Sequence, residues 1–259
     1  MTARAVGRVL SMALLLIVCL PLWAICRLLG GGDAVVRFYL GCVGWLLGLR
    51  VRLEGRPVTG NALYAANHIS WLDIPALGGA VQARFIAKSE IAGWSLIGWL
   101  AKIGGSVFVQ RQKRSEARLQ ANAVSVALTE GRPVVLFAEG GTGDGVRLTP
   151  FRASLFVAAN EAGVTVQPVA IDYGPRSSEI AWPDGAGFMS ELKRMLNRPA
   201  PVRVILHFLE PLDGATIDRK LLAARTHAQI GAALFSSQDP PPQSDRSKAL
   251  WQSAGQKAP

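Results

Sequence analysis

The sequence predicts an α/β fold: a mixed central sheet flanked by helices, preceded by an N-terminal apolar helical membrane anchor. Three observations lead there. From residue 51 onward, short apolar runs alternate with amphipathic segments, as strands do with the helices that cover them. Residues 9–26 carry no charged side chain, a run just long enough to span a bilayer core. Beyond residue 235, Ser, Gln, Asp, Pro and Lys dominate, a composition that buries no core. The expected division is membrane-anchoring helices at 1–50, a chemical domain at 51–235 and a disordered tail at 236–259.

The first fifty residues admit three readings. Pro21 interrupts the apolar run, Arg27 closes it, and a second apolar segment at 38–49 lies between Arg37 and Arg50. That segment is too short to span as a helix and suits a re-entrant or interfacial one. A secretory signal peptide needs a small-residue cleavage site, and Ile25 before Cys26 is a poor one. A single spanning helix fits, and so does a helical hairpin turned at Gly30-Gly31-Gly32-Asp33.

Behind the anchor, strands are expected at 51–53, 62–66, 84–87, 106–109, 133–138, 165–171 and 202–208. Helices are expected at 71–79, 94–103, 115–129, 151–162, 188–197 and 219–235. The clearest is 115–129, polar at its start and closed by Gly131 before a proline.

Charge and cysteine usage narrow the function. Against 18 Asp and Glu stand 28 Lys and Arg, a net charge of +10, and such surfaces usually meet nucleic acid or anionic membrane. Basic patches interleaved with aromatics are missing, and no zinc, helix-turn-helix or RNP pattern occurs, so no nucleic acid partner is expected. Arg37, Arg50, Arg52 and Arg56 beside an apolar N-terminus point to a membrane surface. Cys19, Cys26 and Cys42 all fall in the apolar region without Cys-x2-Cys spacing, which indicates neither a disulfide framework nor a metal site. A covalent thiol mechanism has no cysteine near the polar motifs to use.

The chemistry concentrates in Asn67-His68-Ile69-Ser70-Trp71-Leu72-Asp73, directly after the expected strand at 62–66. Histidine is the side chain best poised to take a proton near neutral pH, and a carboxylate on its other nitrogen would fix the tautomer. Five residues is not a same-face spacing on a helix. The pair meets only if His68 lies in the turn before a helix and Asp73 on its first turn. Further on, Gly105-Ser-Val-Phe-Val-Gln-Arg111 ends a strand in an arginine, whose fork suits phosphate, although a solvated basic loop reads the same way. Phe137-Ala-Glu139-Gly140-Gly-Thr142-Gly-Asp-Gly145 holds four glycines in six residues, and such loops turn amides toward a ligand. No Gly-Lys-Ser/Thr follows, so it is not a nucleotide P-loop. Arg152 starts the next helix, and Lys88 follows the strand at 84–87, where it could donate to a substrate anion or simply sit exposed. Pro168, inside the strand at 165–171, signals an edge or a bulge. His207 and His227 have no carboxylate in a comparable relation and read as structural.

In their order and spacing, four of these segments resemble the four blocks of the glycerolipid acyltransferases, the 1-acylglycerol-3-phosphate acyltransferases and their relatives. The resemblance runs from about Arg56 to Leu212. Asn67-His68 to Asp73 is similar to the family's Asn-His-x4-Asp block, and 105–111 resembles its Gly-x-x-Phe-Ile-x-Arg block. Val166-Gln-Pro168-Val-Ala resembles its Val-Pro-Val-Ala block with a glutamine inserted. The third block departs: where the family commonly shows Phe-Pro-Glu-Gly-Thr-Arg-Ser, this chain has Phe137-Ala-Glu-Gly-Gly-Thr-Gly143. The arginine that the family aligns with the acceptor phosphate is absent, leaving Arg111, Arg147 and Arg152 to supply charge. This variant resembles a bacterial subgroup that includes lyso-ornithine lipid acyltransferases.

The resemblance implies transfer of a fatty acyl group from acyl carrier protein or coenzyme A to the hydroxyl of a lysolipid, with no other cofactor and no metal. His68 is the expected general base and Asp73 its orienter. Asn67, Lys88, Arg111, Glu139, Gly140, Thr142 and Arg152 are the expected substrate-binding residues. The first acceptor expected is 1-acyl-sn-glycerol-3-phosphate, giving phosphatidic acid; lyso-ornithine lipid is the alternative. A membrane-bound lipid esterase, using the same pair on water, is the alternative of another class. Membrane lipids and the thioester carrier are the expected partners. The expected location is the inner membrane, with the catalytic domain on its cytoplasmic face.

Overall fold

The computed structural model describes residues 2–109, 117–182, 187–199 and 201–235. Within them one sheet is built from β1 (Leu49–Glu54), β2 (Ala62–Ala66), β3 (Arg84–Lys88), β4 (Val107–Val109), β5 (Val134–Phe137), β6 (Thr165–Asp172) and β7 (Val202–Phe208). The strand order is β1-β7-β6-β2-β5-β3-β4. Neighbours run parallel except β6 and β7, so the sheet is mixed, as expected.

The helices are α1 (Ala3–Leu28), α2 (Gly32–Leu46), α3 (Asp73–Ala80), α4 (Ser95–Ile103), α5 (Ala117–Thr129), α6 (Val157–Ala162), α7 (Ser177–Ile180), α8 (Phe188–Asn197) and α9 (Arg219–Phe235). The single helix expected at 151–162 is instead a 3₁₀ turn, Ala153–Phe156, followed by α6. The short α7 was not expected at all.

Alternation along the strands divides the core between the two faces of the sheet. Every residue of β2 is buried. Tyr64 and Ala66 pack with Phe85, Phe137 and Ile171 against Leu77 of α3 and Met195 of α8. Leu63 and Ala65 pack with Val134, Leu136 and Val166 against Leu128 of α5, Ala159 of α6 and Leu222 of α9. Helices on both faces explain why these strands read as unbroken apolar runs.

Pro168 lies in a central strand, not at an edge, and the bulge reading holds there. The β6–β7 ladder begins at Val169↔Phe208, and Val166 bridges Leu212 beyond it. Between these pairs two residues, Gln167 and Pro168, therefore face three on the other side, so the missing proline N–H falls where the pairing is broken. Gln167 fills the gap. Its buried amide accepts from Val58 N (2.9 Å) and donates to the carbonyls of Arg56 (2.9 Å) and Leu209 (3.2 Å).

The N-terminal segment forms a helical hairpin. Pro21 does not break it: α1 continues through the proline to Leu28, giving 26 residues and about 39 Å of helix at 1.5 Å per residue. The chain reverses at Leu29–Gly31, where Gly30 takes φ +81°. The second helix begins at Gly32, earlier than the apolar segment at 38–49 suggested. Against α3 it packs closely enough that a Cβ on Gly79 would lie 2.6 Å from the Cα of Gly41. At its other end α1 is tied to α8. The Arg8 guanidinium donates to the carbonyls of Met195 (3.2 Å), Leu196 (2.8 Å) and Arg198 (3.0 Å), capping a helix C-terminus with a cation. Leu10, Leu14, Ile17, Leu22 and Ile25 stay exposed along α1. By length and composition α1 can cross a membrane.

Candidate active site

At the carboxyl end of β2 the chain leaves the sheet through Asn67 and His68, and Asp73 opens α3. His68 and Asp73 meet in that turn, Nδ1 to Oδ2 at 2.8 Å. The same Oδ2 accepts from the backbone amides of Ile69 (2.8 Å) and Ser70 (3.0 Å). The other oxygen, Oδ1, accepts from the Tyr173 hydroxyl at 2.6 Å. Asp73 is fully buried, yet both its oxygens are held, as a buried carboxylate requires. Its place at the first turn of a helix favours negative charge as well.

Tyr173 follows β6 and is 3% exposed. Burial, then the Asp73 charge and the hydrogen bond to it, push its hydroxyl well above the ordinary tyrosine value, so it stays a donor. Sequence reasoning missed this residue. The His68 ring lies flat on Phe137, centroids 3.9 Å apart at 14°. With Nδ1 engaged and the ring plane fixed, Nε2 is the nitrogen left to act.

Glu139, one residue beyond Ala138 at the exit of β5, holds the backbone of this turn. Its Oε1 accepts from His68 N (2.8 Å), and Oε2 accepts from Thr149 N (3.1 Å) and Thr149 Oγ1 (2.6 Å). The carboxylate is buried and aimed at protein donors, so it holds the turn whatever else it meets. Asn67 is held in the same way. Its side chain donates to Ile171 O (3.0 Å) and accepts from Ile171 N (2.8 Å), stitching the end of β2 to β6.

The glycine loop closes over the turn. Gly140 takes φ +77°, which favours glycine, and the Arg152 side chain lies over it. Gly143 N donates to His68 O at 2.7 Å. Arg152 is exposed and lies over Gly140, not on the cavity wall described next. Arg111 lies outside the described residues.

His68 lines a cavity of about 740 Å³. Leu20 and Trp23 of α1, Tyr39 of α2, Phe85 of β3 and Leu100 of α4 are among its apolar walls. Gly141, Thr142, Lys88 and Glu90 line it as well, and so do Trp71, Trp94, Trp182 and Phe188. Phe188 gathers the three indoles, with ring centroids at 6.4, 4.8 and 5.8 Å. Among the described residues, no three His, Cys, Asp or Glu side chains come together as a metal site would require.

His207 is also corrected. It does meet carboxylates: Nδ1 is 3.0 Å from Glu54 Oε2 and Nε2 is 3.8 Å from Asp172 Oδ2. The β1–β7 register, which sets Glu54 opposite His207, makes the first contact, and no local spacing announces it. His227 lies edge-on to Phe151.

Known proteins resemble this chain. The sequence model of the Acyltransferase family matches residues 49–172. The lyso-ornithine lipid O-acyltransferase of Pseudomonas aeruginosa is 34% identical over 80% of this chain and 81% of its own. The 1-acyl-sn-glycerol-3-phosphate acyltransferase of Neisseria gonorrhoeae is 38% identical over 54% of this chain and 58% of its own. The crystal structure of the 1-acyl-sn-glycerophosphate acyltransferase PlsC of Thermotoga maritima superposes with a TM-score of 0.64 at 22% identity. It covers 82% of this chain and 83% of that one, and shares the fold. With the Pseudomonas relative aligned along four-fifths of both chains, and the matched segment enclosing the His68–Asp73 turn, the chain belongs to the acyltransferase family and is an acyltransferase.

Proposed function

We propose that this chain transfers a fatty acyl group from a thioester of acyl carrier protein or coenzyme A to the free hydroxyl of a lysolipid. One observation carries the reading: an oriented histidine in the wall of a large, mostly apolar cavity. It joins a base to a chamber that suits an acyl chain. His68 Nε2 takes the acceptor's hydroxyl proton as its oxygen attacks the thioester carbonyl, and the proton then passes to the departing thiol. Asp73 holds the ring and faces the imidazolium as it forms. The attacking oxygen belongs to the acceptor, so no acyl-enzyme is needed. The developing oxyanion needs donors. The amides of Gly141 and Thr142 are suited to this, since both residues line the cavity beside His68 and neither amide has a hydrogen-bond partner among the described residues. Glu139 and Asn67 position this machinery, while Lys88 is placed to meet the charge of an incoming substrate.

Two observations support lyso-ornithine lipid as the acceptor. The Pseudomonas relative that aligns with four-fifths of the chain bears that activity in its name, and the third block lacks the phosphate-aligned arginine. Lysophosphatidic acid is the second reading, supported by the Neisseria relative. The exposed apolar face of α1 supports membrane attachment. The thioester donors support a cytoplasmic face of the inner membrane. Purified protein in detergent, given one labelled acyl thioester and both lysolipids in competition, tests the reading. Diacyl product identifies the acceptor. Free fatty acid alone would instead make the protein an esterase, and no turnover would refute both.

A further inference from the structure

A second cavity, of about 520 Å³, opens at the opposite end of the sheet. It lies at the amino ends of β3 and β5, under the first turns of α2, and three arginines line it: Arg37, Arg84 and Arg132. The topology puts them together. Arg84 starts β3 in register with Val134, two residues after Arg132. Asp33, one helical turn before Arg37, pairs with Arg132 at 3.5 Å.

The acids present do not neutralise this cluster. Asp33 and Glu130, which is 3.1 Å from Arg84 Nη1, are each about half exposed, and such pairs hold weakly. Arg37 makes no ion pair or hydrogen bond among the described residues. The Nε of Arg84 is buried without a partner, on a side chain only 20% exposed. A buried N–H donor without an acceptor is rare and costly, and a guanidinium fork suits the oxygens of a phosphate.

Apolar surface adjoins the arginines. Val36, Leu40, Ala83 and Gly104 form a wall common to this cavity and the larger one. Next to Arg37 on α2, Phe38 is exposed. A ligand that is both anionic and apolar fits better than a free ion.

We propose that this cavity is a second lipid site, distinct from the His68 site, which binds the phosphate of an anionic phospholipid through Arg37, Arg84 and Arg132. It ties the hairpin side of the molecule to the headgroup layer.

The test uses the full-length chain in neutral maltoside micelles, offered phosphatidylglycerol and phosphatidylcholine together, with retained lipid read by native mass spectrometry. Preferential retention of phosphatidylglycerol is expected. Arg37→Gln with Arg84→Gln should lower that retention about tenfold or more, the scale of losing charge-assisted hydrogen bonds. Acyl transfer in micelles should stay unchanged, which also shows the variant folded. Should the double variant fail to fold, Arg37→Gln alone, at an exposed position, must still lower retention. Equal retention of the two lipids, or undiminished retention by the variants, would overturn the site. Inorganic phosphate that displaces the lipid and raises the melting temperature equally would overturn the lipid and leave a plain phosphate site.

Discussion

Two regions of this chain border the same cavity and are built in opposite ways. The turn at 67–73 is polar, directional and saturated: four donors converge on Asp73 and three on Glu139. The α1–α2 hairpin is tied by Thr2 and Arg8 at one end and turns a long apolar face outward. In the first region one misplaced atom breaks the function. In the second, many side chains share a non-directional effect proportional to area. Substitutions should therefore act sharply in the turn and gradually in the hairpin.

The largest contrast comes from His68→Ala. Loss of a positioned base should lower kcat by about 10²-fold or more, with a smaller fall in the melting temperature than Asp73→Asn gives, because Asp73 keeps three of its four donors while Phe137 loses its stacked ring. Asp73→Asn should lower both, since it places an amide donor among amide and hydroxyl donors. Steady-state rates and thermal melts on the two variants check this. A His68→Ala enzyme that keeps more than about a tenth of the rate would remove the base role.

Removing the hairpin tests the other side. Strand β1 begins at Leu49, and Leu47 is already buried, so the cut belongs before residue 47 and not at 50. The truncated chain should bind anionic vesicles weakly and release them as salt screens its positive charge. Sedimentation with vesicles at low and high salt measures it. Binding that survives high salt would place the anchor outside the hairpin.

How far each region was legible in the sequence follows the same division. His68 and Asp73 could be read because their contact closes within five residues, at a strand-to-helix boundary that the apolar pattern marks. Asp73's third kind of donor could not, because Tyr173 lies 100 positions away and arrives only through the placement of β6 beside β2. The Glu139 and Asn67 contacts were hidden for the same reason, spanning 71 and 104 positions. The strands were recognised because burial on both faces leaves unbroken apolar runs. The start of α2 was not, because Asp33 and Arg37 interrupt its apolar pattern. Pro21 interrupts the apolar run without breaking α1; a helix that packs against a partner can absorb the missing hydrogen bond.

Glu139→Gln separates positioning from binding. The replacement keeps the shape but offers an amide donor where His68 N, Thr149 N and Thr149 Oγ1 all donate. A loss of about 1–3 kcal/mol of stability is expected, with lower kcat and an unchanged KM for the acceptor lipid. A raised KM with kcat intact would return Glu139 to the acceptor's head group.

The smallest effect belongs to Tyr173→Phe, which removes one of the four donors on Asp73 and leaves the other three. A few-fold drop in kcat, with KM unchanged, is expected for a positioning residue. The variant carries a second signature in its pH dependence. Burial and the Asp73 charge hold the Tyr173 hydroxyl well above its ordinary value in the folded chain, while the unfolded chain should titrate near pH 10. The unfolded state therefore gives up its proton first as pH rises. The stability contributed by protonated Tyr173 is full below about pH 10 and falls above it. Tyr64 is raised as well, so the measurement is a difference. Urea unfolding on either side of pH 10 should show the wild type losing stability more steeply than Tyr173→Phe. Equal slopes would mean that the hydroxyl is not held against a charged Asp73.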